Sequence, residues 1–177
     1  MSTLVLLAHP ELETSRGNAM LAAAAHDTPG VTVHDLYAAY PDQRVDVAAE
    51  QTLAEAHDAI VMQFPLFWYS TPPILKTWLD EVLELGWAYD PAGEHGTGRA
   101  LRGTTLSCAV TTGAPESEFA STGWNQRPLE EVLTPLEGTA NFLEMPWRDP
   151  FVVYATWALT DDDLAESAAA YQEWLIR

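Results

Sequence analysis

The sequence is poor in cysteine, in positive charge and in long apolar runs, and each shortage removes a class of protein. Its one cysteine, Cys108, can build neither a disulfide framework nor a multi-cysteine zinc site. One lysine, Lys76, and seven arginines face 26 acidic residues, for a formal net charge of -18. A chain without a basic footprint cannot neutralise nucleic-acid phosphates, so no nucleic-acid partner is expected. No apolar run approaches the roughly 20 residues that span a bilayer, and Met1-Ser2-Thr3-Leu4 lacks the basic start of a signal peptide. There is no internal repeat, low-complexity tract or linker. A length of 177 residues suits one domain, residues 1–177, that is soluble and intracellular.

The charge also constrains ligands. A small anion must find a local positive pocket made of arginines, backbone N–H groups or helix N-termini, because the average field repels it. Carboxylates outside such pockets serve solubility.

Short apolar runs alternate with helical patterns. Leu4–Ala8, Val31–Val33, Ala59–Met62 and Leu106–Val110 read as strands, and the first is apolar throughout, as a strand covered on both faces should be. Helices are expected over Gly17–Ala25, from an Asp46 cap through Ala56, and from Pro72-Pro73 to a stop at Gly86 with Leu75, Trp78, Leu79, Val82 and Leu83 on one face. A helix over Leu129–Leu136 should end at Pro135. Ala140–Met145 and Phe151–Tyr154 read as an interrupted last strand, and Asp161 opens a final helix carrying Leu164, Ala168, Tyr171 and Leu175. The alternation predicts an α/β fold, a parallel sheet with helices on both faces. Ligands then sit beyond the carboxyl ends of the strands.

Three loops follow strand ends on that side. In His9-Pro10-Glu11-Leu12-Glu13-Thr14-Ser15-Arg16-Gly17-Asn18, a helix start offers free N–H groups, joined by the Ser15 hydroxyl, the Asn18 amide and the His9 imidazole. That set suits a phosphate, although Ser15 also reads as an ordinary N-cap. Neither GxGxxG nor GxxxxGK[ST] occurs, which argues against a Rossmann dinucleotide site or a P-loop. The second loop, Phe64-Pro65-Leu66-Phe67-Trp68-Tyr69-Ser70, puts aromatics where polar residues would be usual. It can cover a flat ring or meet a partner chain. In the third, Thr111-Thr112-Gly113-Ala114, the threonines supply hydroxyls and Gly113 permits close backbone approach.

These motifs, with Pro73-x-x-Lys76-x-Trp78-x-Asp80 and Gly86-Trp87-Ala88-Tyr89, resemble the flavodoxin-like NAD(P)H:quinone oxidoreductases, and within them the ancillary oxidoreductases of glutathione-regulated potassium-efflux antiporters. The resemblance runs from the first strand to about Ser117. It implies a flavodoxin-like three-layer sandwich with a five-stranded parallel sheet, and FMN or FAD as cofactor with NAD(P)H as co-substrate. His9, Ser15, Arg16, Gly17 and Asn18 would hold the flavin phosphate. Leu66, Phe67, Trp68 and Tyr69 would lie along the ring, and Thr111, Thr112, Gly113 and Ala114 would meet its pyrimidine edge. It further implies a homodimer, two-electron reduction of a quinone or similar electrophile, and a cytoplasmic location, peripheral to the inner membrane face if an antiporter is the partner. No side chain is nominated as an obligate acid or base, since hydride chemistry belongs to the flavin. Where mammalian quinone reductases carry a Tyr and a His, this chain has Phe119 and Asn125, neither a proton relay.

His26, His34, His57 and His95 read as surface or loop residues, with no metal site, and Cys108 as core. Arg99 and Arg102 are candidates for an NADPH phosphate or a solvated surface, and Glu116 and Glu118 for solvent. Residues 90–98 would cover the flavin or reach a partner. Two rival readings are an antiporter-docking regulatory subunit and a flavodoxin-type electron carrier.

Overall fold

A computed structural model describes residues 2–177. Along β1 (Thr3–Leu7) the side chains alternate between two apolar layers, which explains why no polar residue follows Thr3 in the strand. Leu4 and Leu6 pack with Ile60, Met62, Leu106 and Cys108 under one helical layer. Val5 packs with Val61 and Ala109 under the other.

The chain continues through α1 (Arg16–His26), β2 (Val31–Asp35), α2 (Leu36–Ala39), α3 (Val47–Glu55), β3 (Ala59–Pro65), α4 (Pro73–Val82), β4 (Thr105–Thr111), α5 (Leu129–Phe142), β5 (Phe151–Val153) and α6 (Asp161–Leu175). The strands pair in the order β2-β1-β3-β4-β5, all parallel. The layer over Leu4 and Leu6 draws on α3, α4 and α5, and the layer over Val5 on α1 and α6. The order reverses between β1 and β3, so the crevice between their carboxyl ends is where a ligand belongs.

Two expectations fail for the same helix. Pro135 lies inside α5 rather than ending it, and Ala140–Phe142 complete α5 instead of starting a strand. Pro135 faces solvent, so the carbonyl it leaves unbonded can be hydrated. Leu133, Leu136 and Ala140 keep their inward spacing across it. The helix expected to stop at Gly86 ends at Val82, and Gly86 instead has a φ of +91° in the following turn, against the His95 carbonyl.

His34 also departs from its surface reading. It meets Glu50, 1% exposed, at 2.7 Å, and the same carboxylate accepts from the Tyr40 hydroxyl at 2.6 Å and Trp78 Nε1 at 2.8 Å. Burial pushes Glu50 towards its neutral form, but the groups donating to it outweigh that and hold its carboxyl below the ordinary range.

Candidate functional site

His9 follows β1, and its Nδ1 accepts the Glu11 N–H at 3.1 Å. The ring proton therefore sits on Nε2, as a donor beside the start of α1. Burial holds His9 below the usual imidazole value, so it is neutral at neutral pH. Ser15 caps α1, its hydroxyl accepting the Asn18 N–H at 3.3 Å. The N–H groups of Arg16 and Gly17, at the positive end of the helix, bond to no backbone carbonyl. The Arg16 side chain is committed elsewhere, to Asp161 Oδ1 at 2.7 Å and the Leu159 carbonyl at 3.1 Å, so only its backbone faces the crevice end. Gly17 is required by packing: a Cβ there would stand 3.0 Å from the Thr156 methyl.

The aromatic loop is a tight turn. Phe67 and Ser70 exchange both backbone bonds at 3.0 Å, which puts Trp68 and Tyr69 in the left-handed region with φ of 50° and 63°. Each such residue costs of order 1–2 kcal/mol. The strain leaves the Trp68 and Tyr69 N–H groups unbonded and holds the Trp68 side chain 94% exposed. The Phe67 ring stands edge-on to His9, centroids 6.3 Å apart. Leu66 is half-buried and donates its N–H to the Thr111 carbonyl at 2.9 Å.

Thr111 joins the third loop to both others. Its hydroxyl accepts from Asn18 Nδ2 at 2.7 Å, and its carbonyl holds Leu66. The expectation that the two threonine hydroxyls face a ligand is corrected here. Both residues are buried, and Thr112 donates its hydroxyl to the Ala114 carbonyl at 2.7 Å. The donors left free are the Gly113 and Ala114 N–H groups. Leu66, Trp68, Tyr69, Thr112, Gly113 and Ala114 line one cleft together with Phe119 and Asn125.

A fourth loop, after β5, escaped sequence reading. Thr156 donates its N–H to the Thr112 carbonyl at 3.0 Å, Ala155 to Ala114 at 3.1 Å, and Trp157 Nε1 to the Gly113 carbonyl. The one signal was an isolated Trp between the last strand and the last helix. Below the crevice, Tyr171 donates to Gln63 Oε1 at 3.1 Å and Gln63 Nε2 to the Asn18 carbonyl at 3.1 Å, all three fully or almost fully buried. Asn18 Oδ1 is buried there without a partner.

Arg99 and Arg102 are not at this site. Both meet Glu144, at 3.9 and 2.9 Å, beside the amino end of β4, a strand length from the crevice. Cys108 is in the core, and burial pushes its thiol well up. Glu116 is exposed, while Glu118 is half-buried and accepts the Trp124 N–H. Residues 90–98 turn around Asp90, whose carboxylate accepts the Gly93 and His95 N–H groups at 2.9 and 2.8 Å. Among the described residues no cluster of three metal-ligating side chains occurs, and no helix is long and apolar enough to cross a membrane.

A sequence-family profile described as flavodoxin-like fold matches residues 1–175. The chain is 42% identical over 171 residues to the uncharacterized NAD(P)H oxidoreductase YdeQ of Bacillus subtilis, covering 97% of this chain and 84% of that one. It is 42% identical over 172 residues to the glutathione-regulated potassium-efflux system ancillary protein KefG of Cronobacter sakazakii, covering 97% and 91%. Among solved structures, general stress protein 14 of Treponema denticola in complex with FMN superposes with a TM-score of 0.90 at 40% identity, covering 99% and 98%.

Proposed function

The chain belongs to the flavodoxin-like family of NAD(P)H oxidoreductases, and from that premise we propose that it binds FMN at the crevice and reduces quinones or similar electrophiles at the expense of NAD(P)H. The observation that carries this reading is Thr111, bonded to the first loop through its hydroxyl and to the second through its carbonyl. Three loops with unbonded N–H groups are thereby held around one crevice.

The donor set fits a phosphorylated flat ring. The Arg16 and Gly17 N–H groups and His9 Nε2–H suit a phosphate without adding charge to the chain. The Trp68, Tyr69, Gly113 and Ala114 N–H groups suit the acceptors along a ring edge. Asn18 Oδ1 is an idle acceptor beside them. On the β2 side of the first loop, Glu11 and Glu13 of that loop and Asp35 line a groove, and their charge opposes a second phosphate there and favours FMN over FAD.

Bound flavin supplies the hydride chemistry. The protein residues position and desolvate. The first loop fixes the phosphate, the strained turn presents N–H groups and an aromatic wall, and the Gly113–Ala114 loop gives the acceptor side a floor. The cleft's one phenolic hydroxyl, that of Tyr69, donates to Asn125 Oδ1 at 2.7 Å, and hydride transfer from a flavin needs no obligate side-chain acid. Exposed Phe67 and Trp68 are apolar surface that pairing with a second copy of the chain would cover. Protein loaded with FMN should oxidise NAD(P)H when a benzoquinone is added. Stoichiometric FMN without such turnover would overturn the reading.

The similarity to KefG supports a second reading, a docking subunit at the cytoplasmic face of a potassium-efflux antiporter. Antiporter flux that responds equally to wild-type and flavin-free protein would favour it.

A further inference from the structure

A dinucleotide carries its nicotinamide on two or three phosphates, and on a chain of net charge -18 a cation where they rest offsets a repulsion that backbone donors alone meet for a single phosphate. Its cations all form exposed pairs or stand alone, so position decides between them. Arg16 pairs with Asp161, Arg99 and Arg102 with Glu144, and Arg177 with Glu173. Lys76 pairs with Asp80 and lines an apolar groove with Leu79, Leu83 and Leu136 that includes neither Gly113, Ala114 nor Asn125. Arg148 lies over the Trp174 ring at 3.6 Å, and Arg44 stands exposed between α2 and α3. Arg127 differs in place. It lines a cleft with Tyr69, Asn125 and Val132 that shares Tyr69 and Asn125 with the cleft over Gly113 and Ala114.

We propose that this outer cleft receives the phosphates of the nicotinamide dinucleotide, with Arg127 as the cation that holds them while the nicotinamide enters the inner cleft. The inference rests on the oxidoreductase reading above and adds a named residue to it.

Three features make Arg127 suited to the task. Its one ionic partner is Glu131 at 3.1 Å, with both side chains more than half exposed, and such a pair contributes little that a phosphate would have to replace. A guanidinium then meets phosphate oxygens through two parallel bonds. Next, α5 starts two residues on, after Pro128, with no side-chain cap, so its first N–H groups are further donors. Glu130 and Glu131 occupy that first turn and oppose an anion, which leaves Arg127 as the source of net attraction. Finally, the wall between the two clefts is polar and incomplete. Asn125 Oδ1 accepts the Tyr69 hydroxyl and its buried Nδ2 has no partner, which leaves a donor unspent in the wall between the two clefts.

The test compares NADPH with a phosphate-free reductant, 1-benzyl-1,4-dihydronicotinamide, on FMN-loaded protein with a benzoquinone as acceptor. Arg127→Ala should raise the ratio of the two KM values about tenfold or more, and Arg127→Lys should recover part of it. Calorimetric binding of NADP+ to the FMN-loaded protein should weaken in parallel, and the rise of the NADPH KM with salt should flatten in Arg127→Ala. An unchanged KM ratio with unchanged NADP+ binding overturns the assignment of Arg127 and leaves the oxidoreductase reading standing. Wild-type protein that accepts electrons from neither reductant overturns that reading and this one with it.

Discussion

Asn18 and Thr111, 93 residues apart, share a 2.7 Å hydrogen bond between side chains that are both out of water. The bond ties the first turn of α1 to the end of β4 and so sets the spacing between the two loops proposed to grip opposite ends of one cofactor. Thr111→Val keeps the shape and removes the acceptor, leaving a buried amide unpaired at a cost of about 1–3 kcal/mol. Urea unfolding of the flavin-free protein should show that loss, and FMN affinity should fall with it.

Trp68 gives the opposite balance. It is 94% exposed and held at a φ of 50°, so it contributes strain without contacts of its own. Glycine at this position relieves about 1–2 kcal/mol of left-handed strain and returns about 0.5–1 kcal/mol through chain entropy. Trp68→Gly should therefore leave the flavin-free protein as stable as before or slightly more so, while the dissociation constant for FMN rises. A parallel loss of both would show that the ring serves the fold.

Glu50 is a buried carboxylate serving His34, Tyr40 and Trp78. Glu50→Ala strands those donors and should cost about 3–5 kcal/mol in denaturant unfolding. Acidity should act in two stages. Burial lowers His9 below 6.5, so its neutral form contributes stability that is present above pH 6.5 and lost as pH falls through the lower folded value. Glu50, held below 4.5, contributes stability that is present above pH 4.5 and lost as pH falls further. Unfolding free energy measured against pH should decline first below 6.5 and again below 4.5, and His9→Ala should flatten the first decline.

Pro135 breaks the backbone ladder of α5 on its solvent face. Pro135→Ala restores one N–H and removes a clash, and should raise stability by about 1–3 kcal/mol. Thermal unfolding checks the direction. A fall would mean that the proline's restriction of the unfolded chain outweighs the lost bond.

The sheet was legible because β1, β3 and β4 are buried on both faces and read as largely apolar runs, with Gln63 and Ser107 among the few polar members. The first two loops were legible because Ser15 and the Phe67–Tyr69 aromatics are unusual where they stand. What was not legible depends on contacts distant in sequence. Arg16 reads as a phosphate ligand until Asp161, 145 residues away, takes its guanidinium. Thr112 reads as a free hydroxyl until its own turn claims it. Gln63 lies just past the expected third strand and Tyr171 reads as a residue of the last helix, and only the fold brings them under Asn18. Glu50 does not stand out in the sequence, because its donors come from three separate elements. Pro135 misled by a local rule that the packing of Leu133 and Leu136 overrides.

Titration of the flavin-free protein with FMN and, separately, with riboflavin tests the central claim most directly. Quenching of flavin fluorescence reports the binding. Three loops holding a phosphorylated ring predict one FMN per chain, bound at least tenfold tighter than riboflavin, because charge-assisted bonds to the phosphate are lost in the latter. Equal affinity for the two, or no binding of either, would contradict it.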